Sequence, residues 1–191
     1  MVEFSWAEPV PVANGGEDTS HTRTLTITSN AVNDPPVAVE DTFNVTPGAS
    51  ATPVEVNSSI STGTPDQMIA LIRKASQKGY RTHSAKIGGT DTALDIARIG
   101  AISAALPSGE NVTFDVNRAW SPGTAIQVLN STNTRDWVEQ PCQTLEQCAH
   151  VAARVHNPIM LDECLHTFDD HLEAWKTRGC EGVKVKPNRV G

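Results

Sequence analysis

Beyond residue 54 the chain alternates short β-prone runs with helix-prone runs, and this alternation limits the fold more than any other feature of the sequence. Strands are expected at 54–60, 80–87, 111–115, 137–139, 158–162 and 182–186, and helices at 65–78, 90–105, 122–130, 144–155 and 167–178. The helix boundaries are marked chemically. Thr64 and Thr144 are suited to cap helices through their hydroxyls, and Pro65 suits a first turn. Gly79 and Gly179 stand where helices end. A strand that follows a helix back to the same end of a sheet pairs in parallel with its predecessor. Six such strands fit either a doubly wound sheet or a (β/α) barrel.

The residues that close the strands favour the barrel. Asp115, Glu139, Asp162 and Lys186 follow one another at separations of 24, 23 and 24 residues. One polar residue therefore recurs at the same place in successive units. In a (β/α) barrel those places face the mouth at the carboxyl ends of the strands. Three carboxylates gathered there repel one another unless a cation lies between them. An all-oxygen set favours Mg²⁺ or Mn²⁺ over zinc. Lys86, ahead of Ile87-Gly88-Gly89, ends an earlier strand, so that it and Lys186 bracket the carboxylates. A lysine beside a divalent cation and a second lysine is destabilised as an ammonium and becomes available as a base. Strand parity puts His83 on the opposite face from Lys86. Cys142 and Cys148 read as packing residues.

These residues resemble the enolase superfamily, in its muconate-lactonizing and mandelate-racemase branch, over residues 52–191. The branch carries a Lys-x-Lys pair before a glycine on its second strand. Here the segment reads Ser84-Ala85-Lys86-Ile87-Gly88, so the second lysine is kept and Ser84 replaces the first. The resemblance implies that Asp115, Glu139 and Asp162 hold Mg²⁺ and that Lys86 and Lys186 move protons. It places Asn117 and Glu163 beside the ligands as supporting residues, with Ser84 beside the base. The implied reaction removes the proton next to a carboxylate, giving racemisation, epimerisation or dehydration. Trp137-Val138-Glu139-Gln140-Pro141-Cys142 and Lys184-Val185-Lys186-Pro187-Asn188-Arg189 look most like enzymes acting on hydroxyproline and betaine derivatives. A full barrel has eight strands and six are expected here, so an incomplete barrel with open, association-prone edges is anticipated.

Residues 1–51 differ in character. Thr22–Thr28 alternates polar and β-prone residues, 37–45 reads as a second strand, and 47–53 reads as a linker. The stretch resembles a fragment of a cadherin-like bacterial surface repeat, in which Asp34, Glu40 and Asp41 would be candidate calcium ligands. Three readings stay open: an enolase-type enzyme, an inactive or chimeric remnant of one, and a calcium-binding surface module. The net charge of −7 and the lack of a Lys/Arg cluster argue against a nucleic-acid partner. No apolar run approaches the roughly 20 residues of a membrane span, and no signal peptide is recognisable at the amino terminus. The four cysteines form no C-x-x-C pair. A reduced, cytoplasmic protein acting on a small carboxylate, with the option of self-association, is expected.

Overall fold

The computed structural model describes residues 2–4, 23–29, 42–45, 56–89, 91–177 and 179–186. The chain divides into two compact units, Met1–Pro53 and Val54–Gly191. In the first, β1 (Val2–Phe4), β2 (Arg23–Ser29) and β3 (Thr42–Val45) form an antiparallel sheet with β2 in the middle. The strand expected at 22–28 is thus present one residue later, and the one expected at 37–45 is described over its last four residues. Asp34, Glu40, Asp41 and the linker at 47–53 lie outside the described residues.

The second unit is a six-stranded, wholly parallel sheet whose spatial order follows chain order: β4 (Asn57–Ile60), β5 (Thr82–Lys86), β6 (Asn111–Asp115), β7 (Trp137–Glu139), β8 (Ile159–Leu161) and β9 (Gly182–Val183). The connecting helices are α1 (Pro65–Gln77), α2 (Thr92–Ala105), α3 (Pro122–Thr132), α4 (Leu145–Ala152) and α5 (Phe168–Thr177). Sequential order with no reversal point is barrel topology, and these are six of the eight strands a barrel requires. β4 and β9 are its two edges.

The helices begin where their caps dictate. Thr64 and Gln67 form a capping box at α1, and Thr144 and Gln147 form another at α4, each satisfying two otherwise unpaired backbone groups. α2 starts two residues later than expected because the Asp91 carboxylate accepts from Leu94 N. The buried faces of the helices meet the outward faces of the strands in one core. Met68 and Ile72, Ile99 and Ile102, and Val128 and Leu129 pack with Ile60, Ala85, Val112, Phe114 and Val138.

Two buried polar networks pin this layer. Arg98 buries its guanidinium as well as its stem. Its Nη1 donates to Asp95 Oδ1 at 2.9 Å and its Nε to the Gly63 carbonyl at 2.8 Å. Asp95 also accepts from Trp120 Nε1 at 3.1 Å and from Gly88 N at 3.4 Å. The acid thereby ties α2 to the turn just after Lys86. Gly88 has φ +95°, and a Cβ there would lie 2.9 Å from Ala119 Cβ and 3.0 Å from the Val116 carbonyl. Only glycine fits that turn.

The second network sits at the amino ends of the strands. His83, on the face opposite Lys86, contacts Ser58 Oγ through Nδ1 at 2.7 Å and Glu110 Oε2 through Nε2 at 2.8 Å. Ser76 Oγ and Arg81 Nη1 also donate to Glu110. The Ser76 hydrogen bond, with help from His83 and Arg81, outweighs burial and holds the Glu110 carboxyl below its ordinary value. A depressed carboxyl adds stability that is present above its unfolded value and is lost as pH falls through the folded one. Stability should therefore drop as pH falls from about 4.5 through the folded Glu110 value. Glu110→Gln should flatten that part of the profile. Glu110→Ala, which strands the His83 ring, should lower stability by about 3 kcal/mol in urea unfolding at neutral pH.

Candidate active site

The predicted site residues gather at the carboxyl ends of β5 to β9. Parallel pairing puts Lys86, Asp115 and Glu139 in one row, since Lys86 is the register partner of Asp115 and Asp115 that of Glu139. The even sequence spacing suggested that Asp162 and Lys186 continue this row. They do not. Glu139 is opposite Met160, so Asp162 stands two residues farther along β8. Leu161 is opposite Val183, which places Lys184 level with Asp162 and Lys186 two residues beyond. The rows climb toward β9, the stagger a tilted barrel needs.

Each carboxylate of the trio is held by a lysine. Lys86 Nζ lies 2.7 Å from Asp115 Oδ2, and Lys186 Nζ lies 2.7 Å from Asp162 Oδ2. Glu139 is gripped by Lys184, whose Nζ is 2.5 Å from Oε1 and 2.6 Å from Oε2. The carboxylates are buried, Glu139 with 2% of its side chain exposed, whereas the lysines reach in from the solvent side, Lys86 with 45% exposed. Burial pushes the Glu139 carboxyl up; Lys184 opposes this, and the charges of Asp115 and Asp162 add to the rise. Burial also acts against Asp162, but the hydrogen bond and charge of Lys186, the charge of Lys184 and a hydrogen bond with Glu139 leave it below its ordinary value. The crowding expected of three neighbouring acids is thus real, and ammonium groups stand where positive charge is required. Among the described residues, no three side chains are already turned to one point as a cation cage. The donor chemistry nevertheless fits a hard divalent ion: three carboxylates on adjacent strands, each engaged by a lysine ammonium.

Supporting residues lock this arrangement. The Asn117 amide bridges the site: Oδ1 accepts from Lys86 Nζ at 2.7 Å, and Nδ2 donates to Glu163 Oε1 at 2.8 Å. Its backbone N–H donates to Asp115 Oδ1 at 3.1 Å. Ser84 lies two residues before Lys86 on the same face of β5. Asn117, Arg118 and Gln140, with φ of 49°, 66° and 38°, occupy left-handed backbone just past strand ends. Such conformations persist where their surroundings enforce them, and they cluster at functional sites. Gln140 was not anticipated. It is fully buried, its Oε1 accepts from Asp162 N at 2.8 Å, and its Nε2 donates to the Cys142 carbonyl at 3.0 Å. One side chain thereby fixes the end of β8 to the end of β7. Lys184 was also missed, although its shared parity with Lys186 was a readable signal.

The model of the family described as enolase C-terminal domain-like matches residues 67–191. The chain belongs to that family. Among curated relatives, o-succinylbenzoate synthase of Thermobifida fusca is 30% identical over 72% of this chain and 44% of that protein. L-Ala-D/L-Glu epimerase of Clostridium acetobutylicum is 30% identical over 72% and 40%. Cis-3-hydroxy-L-proline dehydratase of Roseibium aggregatum is 28% identical over 75% and 39%. A crystal structure of an enolase-superfamily member from Roseovarius nubinhibens, complexed with magnesium, is 72% identical with a TM-score of 0.73, covering 76% of this chain and 40% of that one. The chain thus spans less than half the length of the relatives it matches. No helix among the described residues is long and apolar enough to cross a membrane.

Replacing Gln140 with Met keeps its volume and removes its side-chain hydrogen bonds to Cys142, Cys148, Asp162 and Cys164. Urea unfolding of Gln140→Met should show a loss of about 2 to 3 kcal/mol with an unchanged m-value.

Proposed function

We propose that this enolase-family domain binds Mg²⁺ through Asp115, Glu139 and Asp162 and exchanges the proton alpha to the carboxylate of a small amino-acid-like substrate through Lys86 and Lys186. The observation that carries this reading is the pattern of three buried carboxylates on adjacent strand ends with a lysine at either end of the group. When bound, a divalent ion supplies electrophilic stabilisation of the charge that develops on the substrate carboxylate. Lys86 and Lys186 approach from the two flanks. As an amine, one takes the proton from the substrate carbon. As an ammonium, the other returns a proton to the opposite face, or protonates a leaving hydroxyl in a dehydration. Asn117 keeps Lys86 beside Asp115 through its side chain and orients the acid through its N–H. Mn²⁺ shares the oxygen-donor chemistry and is expected to substitute.

The named relatives include an epimerase and a hydroxyproline dehydratase, both acting on amino-acid-like carboxylates. This supports a substrate of that class, hydroxyproline derivatives among them, handled in a reducing compartment such as the cytoplasm, with self-association through the open sheet edges. The four cysteines are free thiols, in keeping with that compartment.

Thermal unfolding with and without millimolar Mg²⁺ tests the reading, with Glu139→Ala alongside. Mg²⁺ at a hundred times its Kd should stabilise the parent chain by roughly 2.7 kcal/mol and leave Glu139→Ala unmoved. Solvent deuterium should enter the alpha position of proline derivatives or dipeptides, and Lys86→Met or Lys186→Met should slow that entry by at least about a hundredfold. A cooperative melt indifferent to Mg²⁺ sinks the proposal in favour of an inactive remnant.

A further inference from the structure

Lys184 is assigned no role by the reading above, yet it makes the closest ionic contact of the site. Its ammonium lies 2.6 Å from Glu139 Oε2 and also touches Oε1, so it straddles the carboxylate. The two residues lie two strands apart. Lys184 follows β9, Glu139 ends β7, and Asp162 follows β8 between them. The Lys184 amide N–H donates to the Leu161 carbonyl at 2.7 Å, fixing the base of the side chain beside Asp162. The lysine charge therefore faces two of the three acids at once. Lys86 and Lys186, in contrast, each serve a single acid at the flank. Glu139 is the most enclosed of the three acids.

We infer that Lys184 is the positioning residue of the metal centre, holding the Glu139 carboxylate in the orientation from which it can share a cation with Asp162. The inference rests on the Mg²⁺ reading and adds to it a residue outside the ligand set and outside the proton-transfer pair. A ligating carboxylate that is oriented by a fixed donor binds metal more tightly than one free to turn, and losing such a donor costs about 10- to 100-fold in affinity. The alternative is that Lys184 merely occupies the metal's place, in which case its removal tightens binding.

Isothermal titration of the full chain with MgCl₂ decides between these. Lys184→Met should weaken Mg²⁺ binding by about 10- to 100-fold. Lys184→Gln, which keeps an N–H donor without the charge, should recover part of the loss. An affinity in Lys184→Met equal to or tighter than that of the parent overturns the inference, whatever happens to the melting midpoint. If Lys184→Met lacks a cooperative melt, Lys184→Gln carries the test, and an unchanged Kd in that variant refutes the role. A parent chain that binds no Mg²⁺ removes the metal reading itself, and a parent that binds while both variants match it removes only the role of Lys184.

Discussion

Parallel register is the constraint on which this site depends. Each strand is delivered to the sheet by a helix that runs back along its face, so all the strands end at one rim. Side chains separated by more than twenty residues in sequence become neighbours at that rim. Lys86, Asp115 and Glu139 are successive register partners across β5, β6 and β7. Shifting any one strand by a single residue would turn its functional side chain into the helix layer. The core prevents such slips. Ala85, Phe114, Val138 and Leu161, each adjacent in sequence to a site residue or its flank, are fully buried against the helices. Hydrophobic packing on one face thus fixes the chemistry on the other.

The two ends of the strands do different work. At the amino ends, Ser58, His83, Glu110, Ser76 and Arg81 form a closed network whose members satisfy one another. A histidine between a hydroxyl and a carboxylate has the composition of a hydrolytic triad. Here the ring is fully enclosed, and the constellation lies at the end of the sheet opposite the candidate site, so its role is to hold β4, β5 and β6 together. At the carboxyl ends the polar groups are instead held by lysines that remain partly open to solvent. This division between a sealed floor and an open, charged rim is the one (β/α) barrels use.

Much of this was legible in the sequence because local chemistry marks it. Thr64 and Thr144 announce their helices, Gly88 marks its turn, and the acids recur once per βα unit. What was not legible is the stagger. Even spacing along the chain suggested a single level for Asp115, Glu139, Asp162 and Lys186, but a crossover of some twenty residues does not fix the register of the strands it joins. Packing does, and it sets Asp162 two residues above the row of Glu139. The same stagger hid Lys184, which parity placed on the right face without showing that it would reach across β8 to Glu139. Gln140 was hidden for another reason. A glutamine between a metal-type acid and a proline reads as loop, and only the positive φ of 38° turns its side chain inward to the backbone of β8.

Charge balance links these observations to the chemistry proposed. Asp115, Glu139 and Asp162 carry three negative charges when ionised, and Lys86, Lys184 and Lys186 carry three positive ones. The rim is therefore close to neutral as it stands, which allows three acids to be buried together without a prohibitive desolvation cost. Adding a divalent cation shifts the group to an excess of two positive charges, or one if a lysine acts as the neutral base. With the base neutral, a substrate carboxylate would cancel the excess of one, and the second negative charge that develops on losing the alpha proton would be matched by the ammonium formed where the lysine takes that proton, beside the charge already in place. Such fixed charge need not reorganise during the reaction, which is where an enclosed site gains over water. A neutral ligand would leave the excess uncompensated. In the chemistry proposed, the six side chains together with a divalent cation would favour an anion before any contact with the rest of the substrate is considered.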